Sequence, residues 1–216
     1  MAPFVAPPKP ALNLETLKTE AKKFIAAFGN KHPELFGVTD GKAVGTYVEA
    51  KFNVYLKERY VYTQGNAANG IDFPELGVDV KATSIKQPQS SCPFKSAEQK
   101  VYGLGYNLLV FVYDKHDDSI QKAAIVDFKH IVFVRKDKTA DFQTTRGILE
   151  ILNRDGNKDD LIGYLDERNL PLEEIGRNLL AERILNEKPQ QGYLTISNAL
   201  QWRLQYGRVI TVAAAG

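Results

Sequence analysis

The amino-terminal part of the chain has the hydrophobic spacing of helices. In residues 13–28, apolar side chains recur every three or four positions and Gly29 follows as a C-cap, which predicts an amphipathic helix that packs on the core. The same spacing from Lys42 to about Tyr60 predicts a second helix. Glu49 lies near the boundary between the buried and exposed faces of this second helix.

The spacing changes to period two further along the chain. Residues 64–70 are rich in turn formers and predict a loop, and from residue 78 to 83 apolar side chains alternate with polar ones. This alternation predicts a strand with one apolar face and one polar face. The elements predicted next are a polar loop at 86–95, a short helix at 96–104, and strands at 108–113 and 123–134 separated by a charged turn at 114–119.

The remainder of the chain returns to helical spacing. The helices predicted there are 144–153, 159–168, 172–186 and 196–206. The predicted fold class is therefore α/β, with a central mixed β-sheet flanked by helices and a helical carboxy-terminal part.

Composition narrows the class of protein. The chain has 216 residues, of which 44% are hydrophobic, and this is enough to form one compact core. Its single cysteine, Cys92, excludes an internal disulfide framework and a multi-cysteine zinc site, and we interpret it as structural. The amino-terminal prolines and the absence of a long apolar run predict no secretion signal and no membrane span, hence a cytoplasmic protein.

The net charge, the histidine spacing and the lack of phosphate-binding motifs exclude several kinds of chemistry. A net charge of +2 is only mildly basic, so any basic surface must be local. His32, His116 and His130 lack the spacing of metal ligands and are interpreted as surface or structural residues. No P-loop or dinucleotide-binding glycine motif occurs, so nucleotide hydrolysis is not expected.

Two carboxylates and a lysine are clustered around the predicted strand. Asp79 and Lys81 are two residues apart and project from the same face, while Asp72 precedes the strand and can turn back toward them. Two aspartates with a backbone carbonyl, such as that of Val80, suit Mg²⁺, which keeps several of its waters. Lys81 would then orient or deprotonate the attacking water, or stabilise the transition state electrostatically. The alternative is that Asp79 and Lys81 form the solvated face of an amphipathic strand.

Two segments resemble the PD-(D/E)XK nuclease superfamily. DFPELGVDVK, at 72–81, is similar to a pattern in the branch that contains the mismatch-repair nickase MutH and some type II restriction endonucleases, and VGTYVE, at 44–49, resembles its acidic helix. The resemblance implies that Asp72 and Asp79 bind metal, that Lys81 is catalytic and that Glu49 completes the metal site. The chain differs from the family pattern at Ile71, where a proline is common, and at Asp79, where glutamate is commoner.

Two other acidic residues compete with these assignments. Glu58, in the charged end of the second helix, is the alternative to Glu49. Glu75 lies close to Asp72 and is interpreted as a loop carboxylate, with a secondary metal contact as the alternative.

Two polar segments are candidates for DNA contact. In the loop after the catalytic strand, the candidate donors are Lys86, Gln87, Gln89, Ser90, Ser91 and Lys95. In the carboxy-terminal stretch, where acidic neighbours are absent, the candidates are Asn198, Gln201 and Arg203. The alternatives are a merely solvated loop, and a terminal helix whose core contacts include Leu200, Trp202, Leu204 and Tyr206.

The resemblance implies a type II restriction endonuclease that cleaves double-stranded DNA at a short specific sequence, with Mg²⁺ as cofactor and Mn²⁺ as a substitute. A homodimer is expected because two-fold symmetry matches palindromic DNA. A cognate DNA methyltransferase is expected in the same system, though not as a stable subunit. Residues 1–138 are expected to form the catalytic core, and residues 139–216 a helical region that packs on it and contributes to DNA binding or dimerisation.

Two alternative functions remain open. One is a repair nickase resembling MutH, which cuts one strand and needs an activating partner. The other is a DNA-binding protein that retains the fold without catalysis, although the intact set of Asp72, Asp79 and Lys81 argues against it.

Overall fold

The computed structural model describes residues 8–65, 70–91, 94–196 and 203–215. Their helices are α1 Leu14–Phe28, α2 Gly41–Arg59, α3 Ala97–Tyr102, α4 Phe142–Asn153, α5 Lys158–Glu167, α6 Glu174–Asn186 and α7 Gly207–Ala214. Their strands are β1 Lys31–His32, β2 Val78–Ser84, β3 Gln89–Ser91, β4 Asn107–Asp118, β5 Ala123–Val134, β6 Thr195–Ile196 and β7 Arg203–Gln205.

The main sheet has four strands in the order β1-β5-β4-β2. β2 pairs with β4 in parallel, while β4 with β5 and β5 with β1 are antiparallel. The prediction of a mixed sheet flanked by helices is therefore confirmed. A second, antiparallel sheet has the order β3-β7-β6 and joins the segment after β2 to the carboxy-terminal part.

Helices α1 and α2 cover one face of the main sheet, as their apolar spacing predicts. The side chain of Asn13 caps α1 within a capping box, and that of Asp40 caps α2 by accepting from two backbone N–H groups. The apolar stripes of both helices pack against β2, β4 and β5 in one core, which includes Phe24, Phe52 and Phe111. Burial of these stripes fixes the rotation of α2, and hence the direction of its polar side chains.

The other face of the sheet packs against the carboxy-terminal segments. Apolar residues of β4 and β5 contact Leu194, Leu204, Tyr206 and Val209 in a second core. A third core joins α3 to the helices α4, α5 and α6. Within the described residues, no helix combines the length and apolarity that crossing a membrane requires.

The charged segment 114–119 was wrongly predicted as a turn. β4 continues to Asp118 and pairs in register with β5, so the turn occupies 119–122 instead. Cross-strand backbone bonding stabilises this polar extension, and Lys115 forms an ion pair with Asp117 at 2.7 Å on the same strand.

Two further predictions of local structure are wrong. The loop predicted at 86–95 contains β3, which pairs with β7. Of the helix predicted at 196–206, the described residues Ile196 and Arg203–Gln205 lie in β6 and β7, and 197–202 lie outside the described residues. Leu204 and Tyr206 are fully buried, as the alternative interpretation expected, but in and just after a strand rather than in a helix. Leu200, Trp202 and Cys92 lie outside the described residues.

Candidate active site

The chain before β2 folds back so that Asp72 reaches the strand. Phe73 and Val78 exchange two backbone hydrogen bonds, of 2.9 and 3.2 Å, around a short 3₁₀ turn. Gly77 closes this turn at φ +58°, a conformation that favours glycine. The Asp72 carboxylate then accepts a 2.8 Å hydrogen bond from the Val80 N–H through Oδ2, so the predicted return of Asp72 to the strand is observed.

Close packing between α2 and β2 places Glu49. A Cβ atom at Gly45 would lie 3.1 Å from the Ala82 carbonyl oxygen, so the small residue allows a close approach of helix and strand. One turn later, Glu49 Oε1 accepts a hydrogen bond of 3.2 Å from the Ala82 N–H. Glu49 therefore reaches the same strand as Asp79 and Lys81.

The competing carboxylates lie elsewhere. Glu58 forms an exposed ion pair with Arg59 at 3.1 Å. Glu75 accepts a hydrogen bond from Thr63 Oγ1 at 2.5 Å. The geometry thus brings Glu49 to β2 and keeps Glu58 and Glu75 with other partners.

Asp79 and Lys81 form an ion pair, with 2.7 Å between Oδ2 and Nζ. The alternative of a solvated polar face is wrong, because Asp79 is only 2% exposed and Thr83 is equally buried. Lys81 Nζ also donates to the Val80 carbonyl at 3.1 Å. The ion pair compensates the charge of the buried Asp79 Oδ2, for which no further hydrogen bond is found within the described residues.

Burial and crowded carboxylates favour proton binding at this site. Burial raises the pKa of Glu49 to about 7; Lys81 opposes the rise, and Asp72 and Asp79 add to it. Burial and Asp72 likewise raise the pKa of Asp79 against the influence of Lys81. For Lys81, burial alone would lower the pKa, but Asp79, Glu49 and Asp72 raise it overall, so the ammonium is retained at neutral pH.

Glu49 and Lys81 open into a cleft of about 680 Å³. The predicted DNA-contact residues that line the same cleft are Lys86, Gln87, Gln89, Ser90, Ser91 and Arg203. The cleft lies between the start of α2, strand β2 and the β3-β7 pair. Sequence-distant segments thus form one concave surface around Glu49 and Lys81, while Asp72 and Asp79 do not line it.

Some of the predicted DNA contacts have partners within the protein. Lys86 forms an ion pair with Asp114 at 2.9 Å, although most of its side chain is exposed. The Ser90 hydroxyl lies 2.8 Å from that of buried Tyr206, so it holds β3 against the second core. Lys95 is exposed but does not line the cleft. Asn198 and Gln201 lie outside the described residues.

The first turns of α2 were not identified from the sequence as part of the site. The cleft is also lined there by Thr39, Asp40, Lys42 and Thr46. The signal was available, because Lys42 and Thr46 share a helix face with Glu49 at spacings of four and three residues.

Oxygen donors for a divalent metal ion lie around Lys81. Asp79 Oδ2 pairs with its ammonium, the Val80 carbonyl accepts a hydrogen bond from it, and the Asp72 carboxylate accepts from the Val80 N–H. Within the described residues, no three side chains of His, Cys, Asp or Glu converge closely enough to form a metal site by themselves. Carboxylate and carbonyl oxygens are the donors that suit a hard ion, such as Mg²⁺, which takes few protein oxygens and keeps several waters.

Comparisons with known proteins identify the family. The family model described as "Type II restriction enzyme NspV" matches residues 11–216. The Type II restriction enzyme NspV of Nostoc sp. (strain ATCC 29411 / PCC 7524) is 62% identical over 201 residues, which cover 92% of this chain and 91% of that protein. No solved structure matches the chain.

Type II restriction enzymes generally use a divalent metal ion and cleave double-stranded DNA. That chemistry agrees with a cleft lined by Glu49 and Lys81, where Lys81 is paired with the buried carboxylate of Asp79. The chain belongs to the Type II restriction enzyme NspV family and is a site-specific restriction endonuclease.

Proposed function

We propose that the chain hydrolyses phosphodiester bonds by metal-assisted attack of water, with Glu49, Asp72, Asp79 and Lys81 as its catalytic set and Mg²⁺ as its cofactor. The observation that carries the proposal is the buried Asp79 carboxylate, which pairs with the Lys81 ammonium at 2.7 Å on the strand that the Asp72 and Glu49 carboxylates also contact. We further propose that the chain is a member of the PD-(D/E)XK superfamily, on the resemblance of 44–49 and 72–81.

Asp72, Asp79 and the Val80 carbonyl would hold the ion. When bound, Mg²⁺ lowers the pKa of a water molecule and offsets charge on the scissile phosphate. The Val80 N–H fixes the Asp72 carboxylate, and the Ala82 N–H fixes that of Glu49, so both acids are oriented before the ion binds. Glu49 completes the site from α2.

Lys81 acts as a charged donor rather than as a base. Its three acidic neighbours raise its pKa, so the amine is protonated over the range in which such enzymes work. A fixed ammonium in a partly buried site can orient the attacking water and stabilise the charge that develops on the phosphoryl oxygens. Of the two roles that the sequence left open, the electrostatic one is therefore proposed.

DNA is proposed to bind in the cleft. Lys86, Gln87, Gln89 and Ser91 offer ammonium, amide and hydroxyl donors beside Lys81, and Arg203 adds a guanidinium from β7. Ser90 contributes by holding β3 to Tyr206. Asn198 and Gln201 remain proposed contacts from the sequence alone, and so does Lys95.

The pH dependence of the metal requirement tests the catalytic set. Because Glu49 has a pKa of about 7 and that of Asp79 is also raised, protons compete with Mg²⁺ below neutral pH. We expect the Mg²⁺ concentration for half-maximal cleavage to fall about tenfold per pH unit for each proton displaced as pH rises from 6 toward 7, and to level off above about 8.

The measurement is a Mg²⁺ titration of plasmid cleavage at several pH values, with Glu49→Gln as the matched variant. Glu49→Gln should need more Mg²⁺ at pH 8 and show a weaker pH dependence. If the wild-type requirement is the same at pH 6 and pH 8, Glu49 and Asp79 do not bind the ion.

A homodimer is proposed because a restriction enzyme that cuts both strands of a symmetric site needs two catalytic centres. Supercoiled plasmid with one site should then pass directly to linear DNA, and the protein should sediment at twice 24.1 kDa. Persistent open-circular product from a sedimenting monomer would favour the nickase alternative. A cognate methyltransferase, a cytoplasmic location and the division into residues 1–138 and 139–216 also stay proposals.

A further inference from the structure

One side of the cleft has no residue to which DNA contact has been assigned. The side formed by residues 84–91 and Arg203 carries the DNA contacts predicted from the sequence. The side formed by the first two turns of α2 carries Lys42 and Thr46, both of which are exposed.

Helical geometry directs these two side chains toward the catalytic region. Lys42, Thr46 and Glu49 follow one another at intervals of four and three residues, so they lie along one face of α2. The rise from Lys42 to Glu49 is about 10 Å, roughly three nucleotide steps along a DNA strand. A strand whose scissile phosphate lies near Lys81 would therefore carry its neighbouring phosphates along this face.

Charge distinguishes Lys42 from the other lysines of the cleft. Lys81 is paired with Asp79 and Lys86 with Asp114, whereas the Lys42 ammonium has no ion pair or hydrogen bond within residues 8–65, 70–91, 94–196 and 203–215. The nearby Asp40 carboxylate caps α2 by accepting from the Lys42 and Ala43 N–H groups. Because this cap satisfies the N–H groups at the start of α2, a ligand on this side of the cleft would meet the side chains of Lys42 and Thr46.

We propose that Lys42 and Thr46 bind the DNA backbone on the α2 side of the cleft, at phosphates next to the one that is cleaved. Lys42 supplies a charged contact and Thr46 a hydroxyl donor, and neither reads base sequence. The proposal rests on the proposed function, since it takes Glu49 and Lys81 to mark the cleavage point.

The test is the binding of a 30-base-pair duplex of mixed sequence, measured by fluorescence anisotropy without divalent metal between 50 and 200 mM salt. Lys42→Gln should weaken binding about tenfold near 0.1 M salt and reduce the slope of log K against log salt by about one. Lys42→Arg should keep most of the slope. Thr46→Val should weaken binding a few-fold without changing the slope.

Lys51→Gln is the matched control. Lys51 is an exposed lysine of the same helix, nine residues or about two and a half turns from Lys42, and therefore on the opposite face. It should bind DNA like the wild type. A Lys42→Gln slope equal to that of Lys51→Gln would overturn the proposal.

A different result would contradict the proposed function. Full cleavage by Lys81→Met would contradict the catalytic set without touching the salt slope of Lys42→Gln. If Lys42→Gln has the wild-type salt slope and Lys81→Met has lost cleavage, only the inference about α2 is overturned.

Discussion

Asp79→Asn is expected to lower the rate of DNA cleavage more than about 10³-fold under saturating Mg²⁺. Asn keeps the size of the side chain but removes the charge that Asp79 would offer to the proposed ion beside Lys81. Loss of several kcal/mol of metal-assisted stabilisation corresponds to a rate loss of this size. The measurement is the single-turnover rate of plasmid cleavage by purified protein.

Glu75→Gln is the control for this variant. Glu75 lies on the same 3₁₀ turn that precedes β2, but its carboxylate is bonded to Thr63. We expect cleavage within a few-fold of wild type. Unchanged circular dichroism and thermal melting of Asp79→Asn would show that it is folded, and cleavage by such a folded variant at the wild-type rate would remove Asp79 from the site.

Lys81→Met is expected to reduce cleavage by about 10² to 10⁴-fold while leaving most of the DNA binding. Met retains an apolar stem of similar length but loses the ammonium. Because the proposed role is electrostatic, Lys81→Arg should retain part of the activity, whereas a lysine acting as a base would give equal losses in both variants.

Single-turnover cleavage and duplex binding measure the two effects separately. Lys57→Met is a suitable control, since Lys57 is exposed near the far end of α2. If Lys81→Met cleaves as fast as Lys57→Met, the lysine has no catalytic role.

Local sequence signals were sufficient for the elements that form the candidate site. Asn13 and Gly29 mark the ends of α1, and the apolar spacing of α2 shows which face is buried. Alternation at 78–83 predicts β2, and a spacing of two places Asp79 beside Lys81. These features depend on neighbours within a few positions, so sequence patterns report them directly.

Burial of the polar face of β2 could not be predicted in the same way. Alternation of Val80 with Asp79 indicates that one face is polar, but whether that face meets water depends on what packs over it. Helix α2, from 30 residues earlier, and β3 both approach this strand. The resulting burial raises the pKa of Asp79 and Glu49.

The short strands were missed because their partners are distant in sequence. Gln89–Ser91 is polar and has no alternation that would indicate a strand, yet it pairs with Arg203–Gln205. That pairing, with the Ser90 to Tyr206 hydrogen bond, places 203–206 in and just after a strand, where a helix was predicted. Tertiary pairing of this kind overrides local propensity.

The most direct test of the metal-dependent site is a crystal structure of the protein with DNA and Mn²⁺, in which anomalous scattering locates the ion. The expected result is a peak bonded to carboxylate oxygens of Asp72 and Asp79 and to the Val80 carbonyl, next to a DNA phosphate. A Mn²⁺ ion bound elsewhere at the cleaved phosphate, with Asp79 still paired only to Lys81, would contradict it.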